Sequence, residues 1–320
     1  MQLMPPSIVQ KNLSVIQSGN GQMMWINITN AGRKEIQYLK RKFKFHDLDL
    51  NDSYAQKFAQ RPKFDVRNGY CFLVLQFPYY NKKSKLIEAE EVDFFIGWDY
   101  IITIHRNSLS PLVELFNLCN HDHFYRTQYL SGQSGLLLYE LISKLQQYCY
   151  PILDHVSLDI KNIENNIFDG RERRMVNEIL NVKRNILNFR KIMQAHGSVI
   201  KKIVNERIDF LNLNDFDVHF NYTIDHTKEI WDILSNQKEM LDALENTNMS
   251  LVSFKLNDVM KTLTMFSVII FPLTLFATLF AMDTRGIPFQ QSPYGFWMII
   301  GLLIATALIM YLFFKRKKWL

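Results

Sequence analysis

Polar side chains recur along one face of an apolar segment near the C-terminal end of the chain. Alternating steps of three and four residues place them on one narrow face of a helix, formed by Asn257, Met260, Thr264, Ser267, Phe271, Thr274 and Thr278. Small hydroxyl residues on such a face allow close packing against a neighbouring membrane helix. The same face can instead line a water-filled pore, if several copies of the helix surround an axis and Phe271 forms an apolar constriction. The pattern leaves both interpretations open.

Two uncharged segments are long enough to hold this face inside a membrane. Residues 262–281 and 294–314 contain no Asp, Glu, Lys or Arg. At about 1.5 Å per residue, each helix covers roughly 30 Å, the thickness of the hydrocarbon core. The loop 282–293 between them is short, so the two transmembrane helices form a hairpin. Pro272 lies in the middle of the first segment and predicts a bend there.

A basic tail, residues 315–320, follows the second segment. Flanks rich in Lys and Arg stay on the cytoplasmic side, so we expect both termini in the cytoplasm. The tail is also expected to contact anionic lipid headgroups through Lys315, Arg316, Lys317 and Lys318. These four residues account for most of the formal net charge of +6. The rest of the chain is near neutral, and no nucleic-acid surface is expected.

Cysteine usage and the absence of catalytic motifs exclude several function classes. The three cysteines, Cys71, Cys119 and Cys149, are odd in number and have no paired spacing. This pattern is typical of a reducing cytoplasm and excludes a disulfide scaffold. The sequence contains no Walker loop and no dinucleotide-binding fingerprint. We therefore expect no enzyme activity and no bound cofactor.

The first 133 residues predict a cytoplasmic α/β domain. Short runs rich in β-branched and aromatic residues predict strands, and the turn at 81–84 predicts a meander. Helices interleave with these strands. The acidic residues Glu88, Glu90, Glu91 and Asp93 are interpreted as the solvated edge of one strand. The predicted strands are 23–29, 70–77, 88–96 and 100–105, and the predicted helices are 33–42, 51–60 and 111–120.

Residues 134–261 predict a stalk of long helices, because Gly and Pro are rare in this part of the chain. A first helix is expected to reach residue 168 with an interruption near Pro151, and a second to span 171–207. A third is expected to start near 215 and to continue to 281 over roughly 100 Å. Such a helix cannot bury its apolar stripe alone, so it needs the preceding helices or copies of itself as partners.

Several segments, in the same order along the chain, resemble the CorA family of divalent-cation transporters. The resemblance runs from about residue 28 to the C-terminal Trp319-Leu320. It implies a CorA-like funnel in the cell (inner or plasma) membrane, a homopentamer whose five first transmembrane helices surround a pore. The segments that carry it are 46–52, 60–63, 70–75, 94–97, 100–105, 225–227, 257–264 and 271–274.

The family signature at the outer pore mouth is Gly-Met-Asn, and this chain has Ala281-Met282-Asp283 in its place. In the family, five Asn carbonyls hold the hydrated cation, which suits magnesium because that ion loses its water reluctantly. A ring of five Asp carboxylates is expected to attract divalent ions more strongly, or to protonate partly in order to relieve mutual repulsion. Arg285 lies close enough in sequence to neutralise part of that charge.

A second departure from the family concerns regulatory metal sites. The resemblance implies an acidic pair across the subunit interface that binds magnesium and keeps the pore closed. Asp52 matches one member of this pair, but the other position is Tyr222. A further acid found nearer the membrane in some members is Asn246 here. The usual magnesium-sensing interface is therefore not expected, although Asp49, Asp52 and Asp225 remain candidate ligands.

We expect divalent cations to pass through a pentameric pore lined by the residues named above and by Leu263. Asp283 would concentrate hydrated cations at the mouth, while Leu263 and Phe271 would gate the pore by dewetting. Magnesium is the default ion by resemblance, and cobalt, nickel and zinc are alternatives. The competing function is a membrane-anchored scaffold or regulator of the same fold that has lost transport, which the altered signature and Tyr222 motivate.

Overall fold

The computed structural model describes residues 12–19, 21–54, 60–130, 132–206, 208, 217–282, 288 and 293–317, except for the side chain of residue 217. The chain forms two compact units, residues 1–245 and residues 246–320. The first unit contains a β-sheet and most of the helices. The second unit contains the end of one long helix and the C-terminal helix.

A six-stranded mixed sheet forms the centre of the α/β part of the first unit. Its spatial order is β1-β2-β6-β5-β4-β3. Strands β2 and β6 are parallel, and the other neighbouring pairs are antiparallel. The strands are β1 (Leu13–Gln17), β2 (Met24–Thr29), β3 (Lys63–Arg67), β4 (Tyr70–Asn81), β5 (Leu86–Ile96) and β6 (Tyr100–His105).

The four predicted strands are confirmed, and so is the meander formed by β4, β5 and β6. Strands β4 and β5 continue beyond their predicted ends and pair as far as Asn81 and Leu86. Strands β1 and β3 were not predicted. Both are five residues long and lie at the two edges of the sheet. They are ordered by pairing with a longer neighbour more than by their own sequence.

Helices cover both faces of the sheet. One core cluster includes residues of α1 (Arg33–Phe43) and α2 (Asp47–Tyr54), and the other includes residues of α3 (Ser110–His121), α4 (His123–Leu130) and α5 (Ser134–Gln147). The predictions for α1 and α3 are confirmed to within a residue at each end. The predicted helix at 51–60 is α2, which starts four residues earlier, and residues 55–59 lie outside the described part of the chain. Helix α4 was not predicted.

Long helices follow α5, as expected. They are α6 (Cys149–Phe168), α7 (Glu172–Met193), α8 (His196–Asn205), α9 (Asp217–Ala281) and α10 (Gly295–Arg316). The expected interruption near Pro151 falls at Tyr148, between α5 and α6. The prediction of a single helix over 171–207 was wrong, because Gln194 and Ala195 separate α7 from α8. Helix α9 has 65 residues and is about 98 Å long, and it is continuous through Pro272.

The first part of α9 packs against the preceding helices, one of the two kinds of partner expected for it. Its apolar stripe, Ile230, Leu234, Leu241 and Leu244, is buried. Polar contacts fix its alignment at two levels. Gln237 Nε2 donates to the Leu153 carbonyl at 2.8 Å and to Ser157 Oγ at 2.9 Å. Further along, the Lys183 ammonium lies 2.6 Å from Glu245 Oε2.

The acidic residues of β5 are not a solvated edge, so that interpretation was wrong. Glu90 and Asp93 are each only 2% exposed. The alternation of strand residues places Glu91 and Asp93 on the same face of the sheet. Burial raises the pKa of Asp93 well above its ordinary value, and the nearby Glu91 carboxylate raises it further. Within the described residues, Asp93 Oδ1 has no hydrogen-bond partner.

The first prediction concerns the pH dependence of stability. Above about pH 4, folded Asp93 keeps a proton that the unfolded chain has lost, so the free energy of unfolding falls as pH rises. The fall is about 1.4 kcal/mol per pH unit until the raised pKa is reached. We expect Asp93→Asn to raise the unfolding temperature at pH 8 and to flatten its dependence on pH. Thermal unfolding of the full chain in detergent, followed by intrinsic fluorescence from pH 5 to 9, measures both effects.

The matched control is Asp99→Asn, which changes an exposed aspartate next to β6. We expect this variant to keep the pH profile of the unmodified protein. If Asp93→Asn also keeps that profile, Asp93 is ionised in the folded chain and the assignment is wrong.

Candidate functional site

The polar stripe, defined as Asn257, Met260, Thr264, Ser267, Phe271, Thr274 and Thr278, lies on the second part of α9. Its members are exposed, apart from the half-exposed Ser267. Phe271 has the most exposed large apolar side chain of the stripe, at 71%, and Leu263 beside the stripe is 59% exposed. Residues on other faces of this segment, such as Phe266 and Ile270, are exposed as well. Exposure within one chain therefore does not single out the stripe.

The hydroxyl groups of the stripe all donate to backbone carbonyls of their own helix. Thr264 Oγ1 donates to the Met260 carbonyl at 2.8 Å, and Ser267 Oγ donates to that of Leu263 at 3.0 Å. Thr274 and Thr278 make the same kind of bond at 2.9 Å each. Because the single proton of each hydroxyl is used inside the helix, the oxygen lone pairs remain as acceptors. The stripe thus offers acceptor oxygens along one line.

Apart from Ser267, the residues of this segment that are partly buried lie on the opposite side of the helix. At about 100° per residue, they are centred roughly half a turn from the polar stripe. They are Met265, Ile269, Pro272, Leu273, Phe276 and Phe280.

Helix α10 is the other helix of the second unit, and it carries a matching half-buried stripe. Its members recur at short helical spacings: Ile299, Ile300, Leu303, Thr306, Ala307 and Met310. Two helices that bury an apolar stripe each are the expected result of hairpin packing. The half-buried faces of the two helices are the faces available for this packing, and the polar stripe lies on the other side of α9. The hydroxyl residues are therefore left exposed by the chain's own packing, and they are available to other copies, to water or to lipid.

The predicted pore mouth follows the end of α9. The helix ends at Ala281, and Met282 after it is exposed. Asp283 and Arg285 lie outside the described residues. At the end of α10, Lys315, Arg316 and Lys317 are exposed, whereas Lys318 also lies outside the described part of the chain.

Asp49, one of the candidate regulatory ligands, is buried and fully engaged. Its carboxylate accepts two hydrogen bonds from Arg67, at 2.8 and 3.0 Å, and one from the Tyr70 hydroxyl at 2.7 Å. Burial acts to raise the pKa of Asp49, but the hydrogen bonds from Arg67 and Tyr70 outweigh it and the pKa is lowered. This ion pair stabilises the contact between α2 and the sheet. Asp49 is not free to bind a metal.

The other two candidates are paired with lysines and lie on different elements. The Lys63 ammonium lies 2.6 Å from Asp52 Oδ2, and the Lys228 ammonium lies 2.7 Å from Asp225 Oδ1. A regulatory cation at Asp52 would have to displace Lys63. Among the described residues, no group of three or more His, Cys, Asp or Glu side chains is arranged to hold a metal ion.

An aromatic and polar cluster surrounds Tyr222, which stands where the resemblance implies an acid. The Tyr222 ring packs edge-on against His226, with ring centroids 4.2 Å apart. Tyr150 Oη lies 2.6 Å from Nδ1 of His226 and donates to Glu229 Oε2 at 2.5 Å. Burial raises the pKa of Tyr150, and Glu229 raises it further. Sequence reasoning missed this cluster, because Tyr150 is 76 residues before His226 and no motif links them.

The two helices of the second unit are long and apolar enough to cross a membrane. Together with a large α/β and helical unit and a line of acceptor oxygens, they define a membrane protein with a polar helix face. The family model described as "CorA-like Mg2+ transporter protein" matches residues 20–316. The chain belongs to this family, which confirms the resemblance and the expectation of a transporter rather than an enzyme.

Individual relatives agree with this membership. The chain is 35% identical over 323 residues to the magnesium transport protein CorA of Mannheimia succiniciproducens, covering 97% of this chain and 95% of the relative. It is 27% identical over 302 residues to the cobalt/magnesium transport protein CorA of Thermotoga maritima, covering 92% and 83%. The complete structure of the CorA magnesium transporter from Methanocaldococcus jannaschii matches the fold with a TM-score of 0.80 at 18% identity, covering 95% of this chain and 94% of the other.

The second prediction tests the separation of the two faces of α9. Cys71, Cys119 and Cys149 are buried, so they give a low background for a charged, membrane-impermeant thiol reagent. We expect Thr274→Cys, on the polar stripe, to react at least about ten times faster than Phe276→Cys on the opposite face, because only a hydrated thiol ionises readily. Labelling rates in detergent-free membranes measure the difference. Equal rates at both positions would refute a hydrated polar stripe.

Proposed function

We propose that this protein transports divalent metal cations across a membrane, through a pore formed by the α9 helices of a homopentamer. The observation that supports this most directly is the polar stripe, whose acceptor oxygens lie opposite the half-buried face of α9. Closed rings of copies are the usual form of homo-oligomers. In such a ring, each stripe position becomes a ring of five equivalent side chains around the axis.

The chemistry of the stripe favours cations over anions. A hydroxyl whose proton is held by its own helix can accept a hydrogen bond from hydrating water, but it has no proton to offer an anion. Magnesium gives up its water reluctantly, so rings of acceptors around a hydrated ion suit it better than direct protein ligands. We therefore propose that the ion passes Thr264, Ser267, Thr274 and Thr278 with its water shell largely kept.

Apolar rings provide the gate in this proposal. Leu263 and Phe271 have exposed side chains at two levels of α9. Five such side chains around a narrow axis would exclude water, and a hydrated cation cannot cross a dry constriction. Opening would require the α9 helices to move apart or to rotate.

The names of the relatives are the basis on which we propose the transported ion. The Mannheimia relative is named as a magnesium transport protein and the Thermotoga relative as a cobalt/magnesium transport protein. We propose magnesium as the main substrate, with cobalt, nickel and zinc as alternatives. Asp283 would attract the cation at the outer mouth of the pore. Both termini would lie in the cytoplasm, with the basic tail at anionic lipid headgroups of the inner or plasma membrane.

The third prediction tests conduction past Thr274. In proteoliposomes that contain a magnesium-sensitive dye, Thr274→Arg places five cations around the axis and should reduce uptake to the level of empty liposomes. Thr274→Val keeps the shape of the side chain but removes its acceptor oxygen. Because the lost hydrogen bond to hydrating water is worth about 1 kcal/mol or more, we expect the rate of magnesium uptake to fall roughly tenfold.

Thr306→Val is the matched control for that experiment. Thr306 Oγ1 donates to the Leu302 carbonyl at 2.8 Å, as Thr274 Oγ1 does to that of Ile270 at 2.9 Å, but Thr306 lies on the half-buried face of α10. We expect this variant to keep normal uptake. Full uptake by Thr274→Arg in intact oligomers would contradict a pore along the polar stripe.

The fourth prediction concerns the altered signature. Replacing Asp283 by Asn restores the amide of the family signature and removes five negative charges from the proposed mouth. We expect Asp283→Asn to weaken the competition of cobalt and nickel with magnesium, because these ions gain more than magnesium does from a direct carboxylate ligand, whereas magnesium keeps its water shell. Magnesium uptake in the presence of each competing ion measures this. An unchanged order of competition would show that Asp283 does not select the ion.

A further inference from the structure

A groove on the first unit has the composition of a small-molecule site and no role in the proposed pore. It lies between residues 60–62, strand β5 and the C-terminal end of α7, and has a volume of about 720 Å³. Ligand sites commonly have volumes of about 300–1,000 Å³. We call it the α7 groove.

Two cationic side chains are available in the α7 groove. Arg61 and Lys191 both line it, one from the segment before β3 and one from α7. Both are exposed, and neither makes an ion pair with another described residue. Lysine and arginine without a carboxylate partner, in a concave site, favour an anionic ligand. The planar guanidinium of Arg61 is suited to two parallel hydrogen bonds with a phosphate.

The carboxylates near the groove are already engaged by other groups. Glu88 accepts hydrogen bonds from the Tyr79 hydroxyl at 2.8 Å, from Asn81 Nδ2 at 3.0 Å and from Ser84 Oγ at 2.7 Å. Glu91 accepts a hydrogen bond from the backbone N–H of Gln60. These contacts hold both carboxylates at fixed positions. The lining carries two cations, Arg61 and Lys191, against one carboxylate, Glu88, so its formal charge is positive by one.

The remaining lining combines amide and apolar groups. Asn188 Nδ2 donates a hydrogen bond to the Ile87 carbonyl at 3.0 Å, and Gln76 Nε2 donates one to the Gln60 carbonyl at 2.8 Å. Each of these amides keeps an acceptor oxygen, and the exposed Gln194 contributes a further amide. The apolar surface of Pro62 and Ala89 lies beside them. Amides next to an apolar wall suit the polar edge and the flat face of a heterocyclic ring.

We propose that the α7 groove binds a nucleotide, with its phosphates held by Arg61 and Lys191 and its base placed among the amide and apolar groups. The proposal does not depend on the transport function, because the groove lies within the first unit and shares no residue with the polar stripe. It adds a ligand class to a chain whose proposed substrate is a metal ion.

The fifth prediction is tested by titrating the full-length protein in detergent with ATP, ADP and inorganic pyrophosphate in a calorimeter. We expect the nucleotides to bind and pyrophosphate to bind at least about tenfold more weakly, because it lacks the base. Arg61→Gln and Lys191→Gln each remove a charge-assisted hydrogen bond to phosphate and should weaken ATP binding tenfold or more. Ala89→Glu removes no contact of the fold and adds a negative charge, so it should abolish binding.

Matched controls are Lys161→Gln and Arg173→Gln, which remove exposed cations from α6 and α7 outside the groove. We expect both to bind ATP normally. The proposal is overturned if ATP at millimolar concentration gives no binding heat, or if the groove variants bind ATP as tightly as the controls. Equal affinity for ATP and pyrophosphate would overturn the assignment of a nucleotide, since it would leave no contribution from the base.

Discussion

The membrane interior offers no water to satisfy polar groups, and this constraint determines how the hydroxyl residues of α9 are arranged. Thr264, Ser267 and Thr274 each donate to a carbonyl of their own helix, so they need no partner from α10. The face toward the hairpin partner can then be apolar, while the polar stripe stays free. The proposed pore requires both properties together, an apolar face for assembly of the hairpin and an acceptor-rich face for ions and water.

In the first unit, ion pairs and hydrogen bonds engage the acidic residues that are candidate ligands for a regulatory metal. Asp49 is held by Arg67 and Tyr70, while Asp52 is held by Lys63. These pairs occupy the acids that the family resemblance suggests as regulatory ligands. The place of the second acid is taken by Tyr222, which packs on His226. Any regulatory metal that binds this chain therefore has to compete with lysine at Asp52, or it uses groups other than these.

Sequence reasoning predicted the elements whose signal lies in their own residues. The two apolar segments, the central strands and the long α9 are of this kind. It missed β1 and β3 at the sheet edges, which depend on pairing with a neighbouring strand. It also missed the interruption between α7 and α8, where the sequence at Gln194 and Ala195 contains no helix-breaking residue. Spacing placed the polar stripe on one face, but only the structure showed that this face lies opposite the half-buried side of α9. Burial of Asp93 and the Tyr150–His226 contact depend on packing that no local pattern records.

The central claim is that a path for divalent cations runs along the polar stripe, and ion uptake by the unmodified protein tests it most directly. Proteoliposomes loaded with a metal-sensitive dye would be exposed in turn to magnesium, cobalt, nickel and zinc, with empty liposomes as the reference. The account predicts uptake of magnesium above the reference, and the comparison identifies which other ions follow. No uptake of any of the four ions by intact, oligomeric protein would contradict it and would favour a membrane-anchored scaffold of the same fold.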